Sequence, residues 1–272
     1  MIKNKIITGH VISLEDGDRR RQALRRSYQI GINACIFDAL LPGQIADFDS
    51  IYKKSSISFL KRYGRAQTFG ELACLISHKR LYEKLLRLEG EYFLILEDDF
   101  IPQDSIIALK DLYQSASNYK LDVLVLGYSK STLQVERRVS QANPFVRKIN
   151  IGTGRIQIGV RAIETTCGAL SYIVSRKFIN LALSNKDNGI VADDWAYYLK
   201  MNLNIFHAVS PIFREDYTVL PSALEFDRSN NSKKNYSIKI PLVGYIWRIT
   251  LGKYRIIRYW FLYVLNTIIY KK

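Results

Sequence analysis

Glu91-Tyr92-Phe93-Leu94-Ile95-Leu96-Glu97-Asp98-Asp99-Phe100 decides how this chain is read. Five of the six residues from Tyr92 to Glu97 are apolar or aromatic, the composition of a strand buried on both faces of a sheet. The strand then runs into three carboxylates, which places negative charge at its C-terminal edge, where open α/β sheets bind ligands. Glu97 and Asp99 are two apart, so extended backbone would point them to one side. Two neighbouring carboxylates repel unless a cation sits between them. Mg²⁺ or Mn²⁺ suits that position, because such hard cations take one or two carboxylates and complete their shell with water and phosphate oxygens. The competing reading is that Asp98 or Asp99 caps the next helix while the others are solvated.

Working outward, Thr68-Phe69-Gly70-Glu71 is a capping box that opens a helix to about residue 87, with Leu72, Leu75, Ile76, Tyr82, Leu85 and Leu86 on one face. Gly90 closes it ahead of the acid-tipped strand. Pro102 and Asp104 start a further helix to about residue 116, and residues 121–126 form the next buried strand. That is a βαβ unit with the carboxylates in its crossover. A first such unit precedes it: strand 10–14, helix 19–29 ended by Gly31, strand 34–37. Residues 42–54 read as a loop. Gly152, Gly154 and Gly159 lie among alternating residues with no helix after them, which favours a hairpin or flexible loop over a phosphate cradle. A strand over 168–174, helices over 176–183 and from Asp193-Asp194 onward, and a strand over 205–209 complete the body.

The 272 residues allow one large domain, or one with an appendage, and 48% hydrophobic against 24% charged residues is ordinary globular composition. The net charge of +15 is uneven: from Arg228 onward there are 10 Lys or Arg and no acid, which leaves 30 basic against 25 acidic residues before it. We therefore divide the chain into a body, 1–227, and a basic aromatic segment, 228–272. Arg248, Arg255 and Arg258 fall on one side of a helix, and Trp247, Tyr259, Trp260, Phe261 and Tyr263 supply interfacial aromatics, a pattern suited to an anionic membrane surface. A last core helix with solvated arginines is the alternative. Cys35, Cys74 and Cys167 make no disulfide framework or zinc spacing and read as reduced thiols of a cytosolic protein. The N-terminus lacks the apolar run of a signal peptide, and no stretch is long enough to span a bilayer.

With this order in place, the chain resembles glycosyltransferase family 25, the lipooligosaccharide and collagen galactosyltransferase type. Val11-Ile12-Ser13-Leu14 with Arg19-Arg20 looks like the family's opening strand, and Phe37-Asp38-Ala39 like the end of its second. Gly70-Glu71-Leu72-Ala73-Cys74-Leu75-Ile76-Ser77-His78 is similar to its Gly-Glu-x-x-Cys-x-x-Ser-His helix, and Leu96-Glu97-Asp98-Asp99 to its acidic motif. Gly168 to Ser175 and Asp193-Asp194-Trp195 resemble its later strand and late acidic pair. The resemblance implies a GT-A-like α/β fold, a mixed, mainly parallel sheet flanked by helices, and inverting transfer from a UDP-sugar, galactose foremost, to a hydroxyl of a lipid-linked surface glycan. In that reading Glu97 and Asp99 hold Mn²⁺ or Mg²⁺, and Asp194 or Asp193 is the base. Ser13, Leu14, Arg19, Arg20, Asp38, Ala39, His78 and Asp98 contact the donor, while Trp195 and Tyr172 contact the acceptor. The enzyme would work peripherally on the cytoplasmic face of the membrane.

Two other classes compete. A nucleotidyltransferase could use the same acids, but it would want a glycine-rich phosphate loop near the first strand, and Glu15-Asp16-Gly17-Asp18 is a poor one. A nucleic-acid binder would place basic and aromatic residues together as the tail does, but the body is only mildly basic. Nucleic acid is not the expected partner.

Overall fold

The computed structural model describes residues 7–14, 17–103, 106–128, 144–152, 154, 156–161 and 168–216. The basic segment from residue 228 onward, and with it the membrane-surface expectation, lies outside the described residues, as does Cys167.

A ten-stranded mixed sheet carries helices on both faces. β1 (Ile7–Ser13) pairs in parallel with β2 (Ile32–Asp38) on one side and β3 (Tyr92–Glu97) on the other. The chain thus leaves β1 in one direction and returns on the opposite side, so a switch point opens at the C-terminal ends of β1 and β3. α1 (Asp18–Gln29) makes the first crossover, and Gly31, at φ 70°, ends it in the left-handed conformation. α3 (Phe69–Leu85) makes the second, and both bonds of its capping box are formed: Glu71 N donates to Thr68 Oγ1 (3.1 Å) and Thr68 N to Glu71 Oε2 (3.0 Å). Arg65 grips both Glu71 oxygens, at 2.9 and 2.6 Å.

Beyond β3 the pairing becomes mixed. β8 (Ser171–Ser175) runs antiparallel between β3 and β5 (Val123–Tyr128), so the two strands of the second crossover unit are parallel in sense but not adjacent. β9 (Ile205–Ala208) lies parallel to β5, and the glycine-bearing stretch is a hairpin of β6 (Phe145–Ile151) and β7 (Ile156–Arg161) that closes the edge. The expected loop over 42–54 is corrected: a 3-10 turn, Pro42–Gln44, leads into α2 (Phe48–Tyr63). Only Phe48, Ser55 and Phe59 of α2 are buried, too few to give a readable apolar stripe.

Alternation along β3 separates the two core layers. Phe93 and Ile95 face α3, α5 (Arg176–Ser184) and α6 (Trp195–Leu199), whereas Leu94 and Leu96 face the layer holding Ala23 of α1 with Leu109 and Leu112 of α4 (Ile106–Asn118). Glu97 continues the parity of Ile95 and so turns toward α3. Asp98 has the opposite parity.

Two short strands complete the site's floor. β4 (Phe100–Pro102) follows the acids and pairs antiparallel with β10 (Phe213–Glu215), which also joins β5. Gly127 permits this: a Cβ there would meet Phe213 O at 2.4 Å and Ser171 Oγ at 2.7 Å, beside a bulge in the β5–β8 pairing.

His10, on β1, is 5% exposed and packs edge-on to Phe93. Burial, helped by the charge of Lys84, lowers its pKa to about 4. The unfolded chain therefore binds this proton from about pH 6.5 downward while the folded chain does not, so stability falls as pH drops from about 6.5 to 4. His10→Gln is expected to flatten that part of a melting-temperature-against-pH curve, read by thermal melts; an unchanged slope would contradict it.

Candidate active site

The C-terminal ends of β1, β2 and β3 bring together Ser13, Asp38 and Glu97, and the first turn of α1 adds Arg19 and Arg20 to the same edge. Asp98 and Asp99 form a tight turn between β3 and β4, so Asp99 does not simply repeat Glu97's side as extended backbone would. The two acids still feel each other. Burial raises Glu97 well above the usual carboxylate range, and Asp99 is the neighbouring charge that adds most, ahead of Asp193, Glu215 and Asp98. Asp99 is raised to about 6, again chiefly by burial, with Arg19 pulling it down and Glu215 and Asp98 pushing it up.

The basic residues are committed. Arg19 reaches Asp99 Oδ2 through Nη2 at 2.5 Å and Asp98 Oδ1 through Nε at 3.2 Å. Ser13 Oγ donates to Asp98 Oδ2 at 2.7 Å. Arg20 ties the ends of β1 and β2 together, donating to Ser13 O (3.2 Å), Leu14 O (3.0 Å) and Asp38 Oδ1 (2.5 Å), while Ala39 N donates to Ser13 O at 2.8 Å. Asp99 Oδ1 is buried with no hydrogen-bond partner. Burying an unpartnered carboxylate oxygen is costly, and an inbound cation would satisfy it.

Glu215 was not anticipated. It sits opposite Phe100 in the β10–β4 ladder, and Asp216 N donates to Asp99 O at 2.8 Å. Asp216 is bound by Arg26, which also donates to Phe100 O at 3.0 Å. The available signal was the acid pair Glu215-Asp216, which follows the apolar Ile212-Phe213 after Arg214, a looser form of the apolar-then-acid pattern in β3.

The late acidic pair divides its work. Asp194 caps α6, its Oδ1 accepting from Tyr197 N (2.9 Å) and its Oδ2 from Tyr63 Oη (2.6 Å). Asp193 is the member whose charge is felt by Glu97.

Three of the expected contact residues lie in the interior. His78 is 1% exposed: its Nδ1 meets Tyr172 Oη at 2.6 Å and its Nε2 lies 3.9 Å from Glu97 Oε1. Burial lowers its pKa to about 4, so it is neutral at pH 7. Tyr172 and Trp195 are both fully buried, packed edge-on with centroids 5.3 Å apart, and offer no face to an acceptor sugar. They are core. Trp195→Ala is therefore expected to destabilise by about 3–5 kcal/mol, measured by denaturant unfolding. Trp195→Phe, which deletes an indole N–H that has no partner, should keep sugar transfer near wild type. Lost acceptor affinity in a stably folded Trp195→Phe would restore the acceptor role.

A family profile described as "Glycosyltransferase family 25 (LPS biosynthesis protein)" matches residues 6–196. The chain belongs to glycosyltransferase family 25. The match runs from the start of β1 into α6, so every residue of the switch-point edge and the Asp193-Asp194 pair lies inside the family region, and Glu215 lies outside it. A "Glycosyltransferase 25 family member" of Drosophila pseudoobscura pseudoobscura is 31% identical over 154 residues, 53% of this chain but only 24% of that protein. The "Lipooligosaccharide biosynthesis protein lic2B" of Haemophilus influenzae is 24% identical over 252 residues, 86% of this chain and 89% of that one. Among solved structures, a glycosyltransferase involved in glycosylation of the major capsid of PBCV-1 aligns at TM-score 0.38 and 10% identity, over 82% of this chain and 98% of that one. Among the described residues no helix is long and apolar enough to cross a membrane.

Proposed function

We propose that this family 25 enzyme transfers a hexose, galactose foremost, from a UDP-sugar to a hydroxyl of a lipid-linked surface glycan such as lipooligosaccharide, with inversion at the anomeric carbon. One observation carries the reading: Glu97, Asp98, Asp99, Asp193 and Glu215 converge at a switch-point edge where Arg19 is the cation paired to the acid turn. Such an edge suits a divalent cation and a diphosphate together. Glu97 and Asp99, the latter through its unpartnered Oδ1, would hold Mn²⁺ or Mg²⁺. The ion would offset charge on the departing UDP.

The chain's own groups do the rest. Arg19 and the N-terminal end of α1 face the donor phosphates, whose negative charge both favour. Arg20, holding Ser13, Leu14 and Asp38, braces the pocket edge, so its part is positioning. Asp98, fixed by Ser13, presents its carboxylate to ribose or sugar hydroxyls. Asp193 accepts the acceptor's hydroxyl proton as the new glycosidic bond forms and the bond to UDP breaks. The acceptor class is supported by the name and near full-length match of the Haemophilus influenzae relative. The basic segment from residue 228 supplies charge for meeting an anionic membrane surface.

The test is release of UDP from a panel of UDP-sugars, with Mn²⁺ and with EDTA, on wild type and on Glu97→Ala/Asp99→Ala. Metal-dependent hydrolysis of one donor, lost in the double variant, supports the reading and names the sugar. Absence of both turnover and calorimetric UDP binding in the presence of Mn²⁺ would sink it.

A further inference from the structure

Cys74 and His78 are four apart on α3 and so project from one face of the helix, the face toward which Glu97 turns from the end of β3. The Cys74 sulfur, a His78 ring nitrogen and a Glu97 oxygen all lie within 4.8 Å of one another. A tetrahedral zinc site brings such donors to about 3.3–3.8 Å apart, given metal–ligand bonds of about 2.0–2.3 Å. The contraction required is at most about 1.0–1.5 Å, within reach of side-chain rotation in two partly exposed residues.

His78 is prepared as a ligand. Its Nδ1 is engaged by Tyr172 Oη at 2.6 Å, and Tyr172 Oη is held in turn by Tyr82 Oη at 2.9 Å. With Nδ1–H donating into this phenol chain, the lone pair is left on Nε2, the ring nitrogen 3.9 Å from Glu97 Oε1. Metal-bound histidines are oriented in this way, by a hydrogen bond from the ring nitrogen that does not bind the metal. Nε2 is buried and has no hydrogen-bond partner, and 3.9 Å to Glu97 Oε1 is too long for one. Among the described residues, no other basic group lies within ion-pair distance of Glu97.

We propose that Cys74, His78 and Glu97 form a binding site for a thiophilic divalent cation of the zinc class, with a fourth position open to water. Thiolate and imidazole select such ions over Mg²⁺ and Mn²⁺, so the donor set differs from the all-oxygen pair Glu97 and Asp99, although Glu97 is common to both. Binding releases the Cys74 thiol proton to solvent. The site asks nothing of the transferase reading and is tested without turnover.

Co²⁺ titrated into the metal-free full-length chain is expected to give a near-ultraviolet thiolate-to-cobalt charge-transfer band with the strong visible absorption of tetrahedral Co²⁺, both abolished by Zn²⁺. Cys74→Ser should lose the charge-transfer band, and Cys35→Ser, which changes an exposed cysteine, should keep it. Tyr172→Phe, which takes away the phenol that orients His78, should weaken Co²⁺ binding by about 10- to 100-fold. A wild-type chain without the band, or a band that survives in Cys74→Ser, overturns the proposal. Wild-type alkylation guards against a misfolded variant: Zn²⁺ should protect Cys74 but not Cys35 from N-ethylmaleimide, read by peptide mass spectrometry. Equal labelling with and without Zn²⁺ would also overturn it.

Discussion

Asp193→Asn is expected to lower kcat for sugar transfer by about 10²–10⁴-fold and to leave the melting temperature close to wild type. Asp194→Asn should do the reverse, costing about 1–2 kcal/mol of stability with a much smaller loss of kcat. The two acids are adjacent in sequence, and the contrast comes from what Asp194 already holds and from where Asp193 lies. Asp194 spends one oxygen on Tyr197 N and the other on Tyr63 Oη, so it has little left for a substrate proton. Its amide replacement can still accept one of those bonds but turns a donor toward the other. Asp193 lies close enough to the acid turn to raise Glu97, which puts it at the edge where the sugar would sit. Steady-state kinetics with saturating donor, paired with thermal melts, separates the roles. If Asp194→Asn lost turnover at unchanged stability while Asp193→Asn stayed active, the assignment would be reversed.

How much of this was legible beforehand follows the range of the interactions. The strand at 92–97 and the Thr68–Glu71 box are local patterns, and both formed as read, because apolar run, turn glycine and capping pair lie within a few residues of each other. α2 was invisible for the converse reason: Phe48, Ser55 and Phe59 are buried by neighbours distant in sequence, and the remaining polar residues carry no period. Nothing local announces that β8 would insert between β3 and β5, since strand order is fixed by which layers cover which faces. The site shows the same division. Glu97, Asp98 and Asp99 were legible as a cluster. Their separate directions were not, because a turn at Asp98-Asp99 interrupts the alternation that would have aligned Glu97 with Asp99. Trp195 and Tyr172 were placed at the acceptor by the family resemblance, and only the packing of α5 and α6 against the sheet shows them to be interior. Glu215 arrives through a three-residue strand whose pairing depends on the close approach of Gly127 to Phe213, a contact across 86 positions of the chain.

Asp99→Asn should cost metal-supported turnover about 10²–10³-fold while making the metal-free protein more stable at neutral pH. The first part follows from removing one of the two carboxylates proposed to hold the cation. The second decides between opposing terms. The substitution forfeits the Arg19 pair at 2.5 Å, but Arg19 keeps Asp98 at 3.2 Å, and the amide relieves repulsion from Asp98 and Glu215 and the cost of a buried charge. The net sign is set by the direction of the shift. Asp99 in the folded chain titrates at about 6, above the usual 3.8, so burial and the acids outweigh Arg19. Between about pH 4 and pH 6 the folded state holds a proton that the unfolded state has released, so stability falls across that window as pH rises, and the full cost is present above it. Asn never carries the charge. Its advantage should therefore be absent near pH 4 and reach about 1–3 kcal/mol above pH 6, read as a difference in melting temperature in EDTA. Mn²⁺ should reverse the order, raising the wild-type melting temperature and not that of Asp99→Asn, because ligand bound only to the folded state adds stability. If Mn²⁺ stabilised both proteins equally, Asp99 would not be a ligand, and the acid turn would have to act through Arg19 instead.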